Sequence, residues 1–169
     1  MSVEVDFVVE PDVVCPLDEA QVERVCDCVL TQEDVTRMCY VSVTVVGEER
    51  ICELNRDWRG IDRATDVVSL ECERPDDTDL ADGEPCELGD IVLAPTYIER
   101  QARKFGNTFE EEFTLLLVHG LLHLLGYDHV ADDEAEVMEA REDELVARIL
   151  GSASPRHVTL TRHRGDDVL

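Results

Sequence analysis

Residues 108–129 read T-F-E-E-E-F-T-L-L-L-V-H-G-L-L-H-L-L-G-Y-D-H. Asn107 or Thr108 is positioned to cap a helix, and Glu111 stands three residues after Thr108, as a capping box requires. The helix runs to Leu125, and Gly126 stops it. Leu121, Leu122, Leu124 and Leu125 are packing residues. His119 and His123 are four apart, so one turn of helix places them on the same face, roughly 6 Å apart at Cβ. That separation lets both reach one metal ion. Gly126 permits a left-handed exit from the helix, from which the chain can swing back and present His129. Three imidazoles would leave an open coordination position, as in catalytic zinc sites. The chain has 5 histidines, and the other two, His157 and His163, lie in a polar tail.

Working outward from this segment, periodicity predicts an ordered series of elements. Val3, Val5, Phe7 and Val9 alternate with mostly polar residues as a strand. Asp18 caps a helix to about Leu30, with Val22, Val25, Cys26 and Val29 on one face. Val41 to Val46 is β-branched and reads as a strand. Glu48 to Asn55 reads as a short helix, Asp57 to Ala64 as a charged loop, and Asp66 to Leu70 as a strand. Glu71 to Glu87, with Pro75, Gly83, Pro85 and a dense acidic run, reads as a solvated loop or hairpin excursion. Leu88 to Leu93 is a buried strand, and Pro95 opens a helix through Phe105 that ends at Gly106. Ala131 to Leu150 is a final helix with Val137, Met138, Leu145, Val146 and Ile149 inward. This order predicts an α/β or α+β layer, with helices against a small mixed sheet. Residues 1–150 read as one domain and 151–169 as a polar C-terminal tail.

Composition narrows the partners. The chain has 169 residues, 40 acidic against 15 basic, for a net charge of −25. This excludes a generic basic nucleic-acid module, although a local basic site remains compatible with it. It also opposes attachment to an anionic membrane. No basic, apolar leader opens the sequence, and no stretch is long enough to span a bilayer. The 7 cysteines are odd in number and form no paired C-x-x-C knuckles, so free thiols in a reducing cytosol are expected. Lys104 is the only lysine. Self-repulsion of this size is relieved by concentrated salt, which predicts a salt-rich cytoplasm.

The histidine spacing is similar to that of metzincin peptidases, which carry Glu directly after the first histidine as general base. Here Gly120 holds that position and cannot accept a proton. Peptide hydrolysis by that route is therefore disfavoured. The whole segment H-G-L-L-H-L-L-G-Y-D-H at 119–129 resembles instead the signature of the YbeY endoribonuclease family, the rRNA maturation factors. The stretch L-N-R-D-W-R-G-I-D-R-A-T-D-V-V-S-L at 54–70 resembles that family's run ending Thr-Asp-Val-Leu-Ser-Phe, with Val68 and Leu70 replacing Leu and Phe. L-G-D-I-V-L-A-P at 88–95 resembles its Leu-Gly-Asp-Ile strand. The resemblance spans about residues 40 to 148; Glu71 to Glu87 is longer and more acidic than the family's usual segment.

The resemblance implies an α+β fold with a small, mostly parallel, mixed four-stranded sheet packed with helices and a zincin-like metal-site helix. It implies a cytoplasmic, metal-dependent, single-strand-specific endoribonuclease acting in 16S rRNA 3′-end maturation and ribosome quality control. One Zn2+ per chain would be held by His119, His123 and His129, and Arg59 would be the catalytic or RNA-binding arginine. The implied partners are single-stranded rRNA and ribosomal particles, with a ribosomal protein or a GTPase as candidate contacts. Arg56 and Arg63 extend a local positive stretch around Arg59. Asp66 and Asp90 either shape the cleft or satisfy loop amides, Ser69 donates to substrate or backbone, and Asp128 either orients an imidazole or caps a turn. Competing functions are a non-enzymatic ribosome-assembly protein with structural zinc, a metallopeptidase with an unusual base, and a hydrolase of small phosphoesters.

The charge generates the first testable expectation. The melting temperature should rise steadily from low to molar KCl, as repulsion is screened within about 3 Å at 1 M. A melt series showing no stabilisation across that range contradicts adaptation to salt.

Overall fold

Alternation of Val3, Val5, Phe7 and Val9 with Glu4, Asp6 and Val8 produces strand β1 (Val3–Val9), whose odd residues face the core. The computed structural model describes residues 3–128 and 130–151; the C-terminal tail expected at 151–169 therefore lies outside it beyond Gly151. After β1 come α1 (Glu19–Gln32), β2 (Cys39–Val45), α2 (Glu48–Arg59), β3 (Val67–Glu71) and β4 (Cys86–Leu93). Three helices follow: α3 (Pro95–Phe105), α4 (Phe109–Leu124) and α5 (Asp132–Leu150). The four strands form one sheet in the order β1-β2-β4-β3. β1 and β4 run parallel to β2, and β3 runs antiparallel to β4. This is an α+β fold with a mixed sheet packed against helices.

The inner sheet face is the main core. Val41, Val43, Val45, Ile91, Leu93 and Val67 meet Val22, Val25, Cys26 and Val29 of α1, the apolar residues of α4 from Phe113 to Leu124, and Met138, Leu145 and Val146 of α5. Twelve of the 16 residues of α4 are buried, which is why its sequence is apolar around its full circumference rather than along one stripe. On the outer face, α2 covers one end of the sheet through Ile51 and Leu54, which pack with Val46, Val68, Val92 and Ala94. Local capping follows the residue types: Asp18–Gln21 and Thr108–Glu111 both form reciprocal capping boxes.

Three features differ from the expectations. The helix predicted to end at Asn55 continues through Arg59 and is stopped by Gly60 in the left-handed conformation. Its charged last turn faces out while Ile51, Leu54 and Asn55 face in, so charge marked an exposed helix face, not a loop. Val137 is not inward; its side chain is exposed, because Met138 and Glu142 define the buried stripe of α5. Residues 71–87 form the hairpin alternative and are anchored rather than wholly solvated. Cys72 and Glu73 donate backbone N–H groups to Leu88 and Glu87, and Leu80 is buried. Arg37 pins the excursion by donating to the carbonyls of Pro75 (3.1 Å), Ala81 (2.7 Å) and Glu84. The seven cysteines are free thiols, with Cys26, Cys39 and Cys86 buried. Burial pushes the Cys26 thiol up to about 12, so it behaves as a packing group. No described helix is long and apolar enough to cross a membrane.

Two glycines set how closely α4 approaches the sheet. The β2–β4 register shifts between Tyr40 and Val41, which pair with Glu87 and Gly89 and leave Leu88 as a bulge. Gly89 has φ +142°, and a Cβ there would stand 2.2 Å from the Leu70 carbonyl oxygen and 3.0 Å from Leu124 Cδ2. At Gly120 a Cβ would stand 3.1 Å from Ile91 Cγ2. The glycine after His119 is thus a point of close helix–sheet contact, and a Cβ there would require Ile91 to give by a few tenths of an ångström. Gly89→Ala is expected to destabilise the fold by about 3 kcal/mol or more in urea unfolding, because backbone and helix must both move. Gly60→Ala, strained but with open space around it, is expected to cost only about 1–2 kcal/mol.

Candidate metal centre

α4 carries His119 and His123 on its C-terminal half, one turn apart. Their ring centroids are 5.0 Å apart and their planes meet at 83°. Two imidazoles sharing one tetrahedral ion at about 2.1 Å would place their centroids about 5 Å apart, so the pair fits a common metal. His119 is buried, and His123 is half-buried toward the end of the helix.

Glu142 of α5 sets the chemistry of this pair. Its carboxylate bonds His119 Nδ1 in a short contact between two buried side chains. A carboxylate on Nδ1 fixes the imidazole tautomer and ring plane, so Nε2 is the nitrogen whose lone pair can serve a metal. Glu142 lies 23 residues from His119 in sequence and follows no motif spacing, so sequence reasoning missed it. The one available signal was a carboxylate on the buried stripe of α5, four residues after Met138.

The exit from α4 is tightly held. Gly126 N–H donates to His123 O (3.0 Å) and Tyr127 N–H to Leu122 O (3.0 Å). Arg141 of α5 donates to Glu33 (2.6 Å), to Glu144 (2.7 Å) and to the Gln32 carbonyl (2.7 Å), joining α5 to the end of α1. Burial and a hydrogen bond to Glu33 push the Tyr127 phenol up. Asp128 accepts the Val130 N–H at 3.3 Å, a turn contact. His129, expected as the third ligand, lies outside the described residues. Among the described residues, no group of three His, Cys, Asp or Glu side chains converges on a metal position.

The other named residues sit on separate elements. Arg59 is half-buried in the last turn of α2, and both α2 and α4 pack against β3. Asn55 donates to the Arg63 carbonyl at 2.9 Å and orders the chain between Arg59 and β3. Asp66 is buried and accepts the Val67 N–H at 2.7 Å, so it satisfies the backbone at the entry to β3. It also joins a network that sequence reasoning missed. The Gln101 amide donates to Asp66 and to buried Glu112, at 3.1 Å each, and Asn107 donates to Glu112 at 3.0 Å. Asp90 lies exposed on the outer sheet face, beside Glu4, Asp6 and Ser42 in a groove away from α4.

Comparison with known proteins finds similar chains. A family model described as "Endoribonuclease YbeY" matches residues 14–150. A Desulfitobacterium hafniense protein named "Endoribonuclease YbeY" is 47% identical over 111 residues, covering 64% of this chain and 71% of its own. A Bacillus velezensis protein of the same name is 39% identical over 149 residues, covering 86% of this chain and 95% of its own. Among solved structures, a Thermotoga maritima protein determined in solution matches with a TM-score of 0.60 at 26% identity, covering 98% of this chain and 95% of that one.

The Glu142 contact yields a test. Glu142→Gln should leave the helix pair packed but lower zinc affinity by about 10- to 100-fold in competition with a chelating dye. Wild-type zinc affinity in that variant would remove the carboxylate from the metal centre.

Proposed function

The chain belongs to the YbeY endoribonuclease family, and from that premise we propose that it is a zinc-dependent, single-strand-specific endoribonuclease of 16S rRNA 3′-end maturation and ribosome quality control. The observation that carries this reading is the His119–His123 pair at metal-sharing distance, backed by Glu142. His129 is proposed as the third ligand, which completes a zincin-like helix-and-loop site of one Zn2+ per chain. Zinc, when bound, supplies positive charge at a phosphoryl oxygen and lowers the pKa of a water.

The protein's own groups divide the remaining work. Glu142 holds His119 in its ligating tautomer. Gly120 offers no carboxylate where a metzincin has its base, and a Cβ there would press on Ile91. That favours a phosphodiester over a peptide bond as substrate, because cleavage then depends on charge stabilisation more than on a carboxylate base. Arg59 provides such charge, presenting a planar donor fork to a phosphate oxygen. Arg56 is held beside it by Asp57 (3.5 Å) and Asp62 (3.7 Å). The proposed substrate is single-stranded rRNA within ribosomal particles, in the cytoplasm, with a ribosomal protein or GTPase assisting a chain of charge −25 to approach RNA.

The test is cleavage of a labelled 16S rRNA precursor, free and within ribosomal particles, by zinc-loaded protein in molar KCl. Cuts confined to single-stranded regions are expected. His123→Ala should lose zinc and cleavage together. Arg59→Ala should keep zinc and fold but turn over about 100-fold more slowly. A folded, zinc-loaded protein that cuts neither substrate would instead support a non-enzymatic assembly role.

A further inference from the structure

We propose that Arg74 is a phosphate-binding residue of the candidate RNA site, a second guanidinium delivered to the exit of the histidine helix by the acidic excursion. The inference rests on the RNA-cleaving reading above and assigns a further side chain to it.

The geometry is specific. At Gly126, where φ is +108°, a Cβ would stand 2.8 Å from Arg74 Nη1 and 3.1 Å from Cζ. The guanidinium therefore lies against the bare backbone of the glycine that follows His123 by three residues and precedes His129 by three. A side chain at 126 would require the guanidinium end of Arg74 to shift. The sequence assigns Gly126 a helix stop and a left-handed exit; in the structure it also leaves space for a cation.

Arg74 is also pre-positioned. Glu73 N–H donates to Glu87 O at 2.8 Å on one side, and the Pro75 carbonyl is held by Arg37 on the other. The backbone carrying Arg74 is thus fixed at both neighbours, and little ordering remains to be done on binding. Among the described residues, Glu71 (3.1 Å) is the guanidinium's one hydrogen-bond partner, and 48% of the side chain is exposed. A planar group with five donors, one of them engaged by Glu71 and half the side chain exposed, retains donors for a phosphate oxygen. In a chain of charge −25, a cation oriented at this spot by Glu71 would offset part of the repulsion that RNA meets elsewhere.

A purely structural role, tying the excursion to the helix exit, makes a different prediction, so the two are separable. Binding of a fluorescein-labelled, 2′-O-methylated single-stranded RNA oligonucleotide to full-length, zinc-loaded protein is followed by anisotropy across a KCl series. Arg74→Ala should weaken binding about 10-fold and reduce the log–log salt slope by about 0.7, one phosphate contact on a single strand. Arg74→Gln, which keeps a donor for Glu71 but not the charge, should behave the same, and Arg74→Lys should restore the slope. Glu71→Gln should tighten binding when Arg74 is present, and by less in the Arg74→Ala background. Wild-type affinity and slope in Arg74→Ala, or full rescue by Gln, would overturn the proposal while leaving the nuclease reading intact if the wild type still cuts rRNA. A wild type that neither binds the oligonucleotide nor cuts rRNA would overturn both.

Discussion

The burial of α4 on every side is the constraint from which the rest of the molecule follows. A helix sealed by a sheet, α1, α3 and α5 can be apolar all round, and it can hold an imidazole only if that imidazole is satisfied. His119 is satisfied at Nδ1 by Glu142, so the helix that forms the centre of the core also carries the polar pair on which the chemistry is proposed to depend. Taking a carboxylate and an imidazole out of water is costly unless the two meet in good geometry. The packing of α5 against α4 is what makes them meet. Stability and function therefore share one interface, and a change in how α5 sits would alter both.

Close approach is the second thread. Gly89 lets Leu124 reach the β4 bulge, Gly120 lets the helix settle onto Ile91, and Gly126 admits the Arg74 guanidinium. In each case a missing side chain shapes the neighbourhood of the histidines as much as a present one does. The arginines work against the same acidic background. Arg37 gathers three carbonyls of the excursion, and Arg141 joins α5 to the end of α1. Several of the few cations in this chain hold acidic loops and helix ends in place, where a planar guanidinium reaches acceptors more widely spread than a lysine's ammonium can.

Local features were legible in the sequence for local reasons. Both capping boxes rest on side chains three residues from their targets, and the order of strands and helices follows from periods of two and 3.6. Where sequence reasoning slipped, two local signals competed. Val137 and Met138 are adjacent and apolar, but adjacent helical residues point about 100° apart, and the packing partner chose Met138. Residues 56–59 are rich in charge, which suits a loop and an exposed helix face equally; the inward set Ile51, Leu54 and Asn55 decided for the helix. The acidic run at 71–87 looked solvated because its anchors, Arg37 and the edge of β4, lie far off in the chain or on its other side.

The order of the elements, the family resemblance and the pairing of His119 with His123 were readable from the chain alone, because a spacing of four residues on a helix is already a distance in space. What stands behind and beside that pair came from packing between distant segments. Glu142 arrives from a different helix, Arg74 from an excursion pinned at its base, and Gln101 joins two buried carboxylates from separate elements. None of these contacts has a fixed sequence separation. They exist because burying the apolar faces of the helices and sheet leaves one arrangement in which those distant side chains are neighbours.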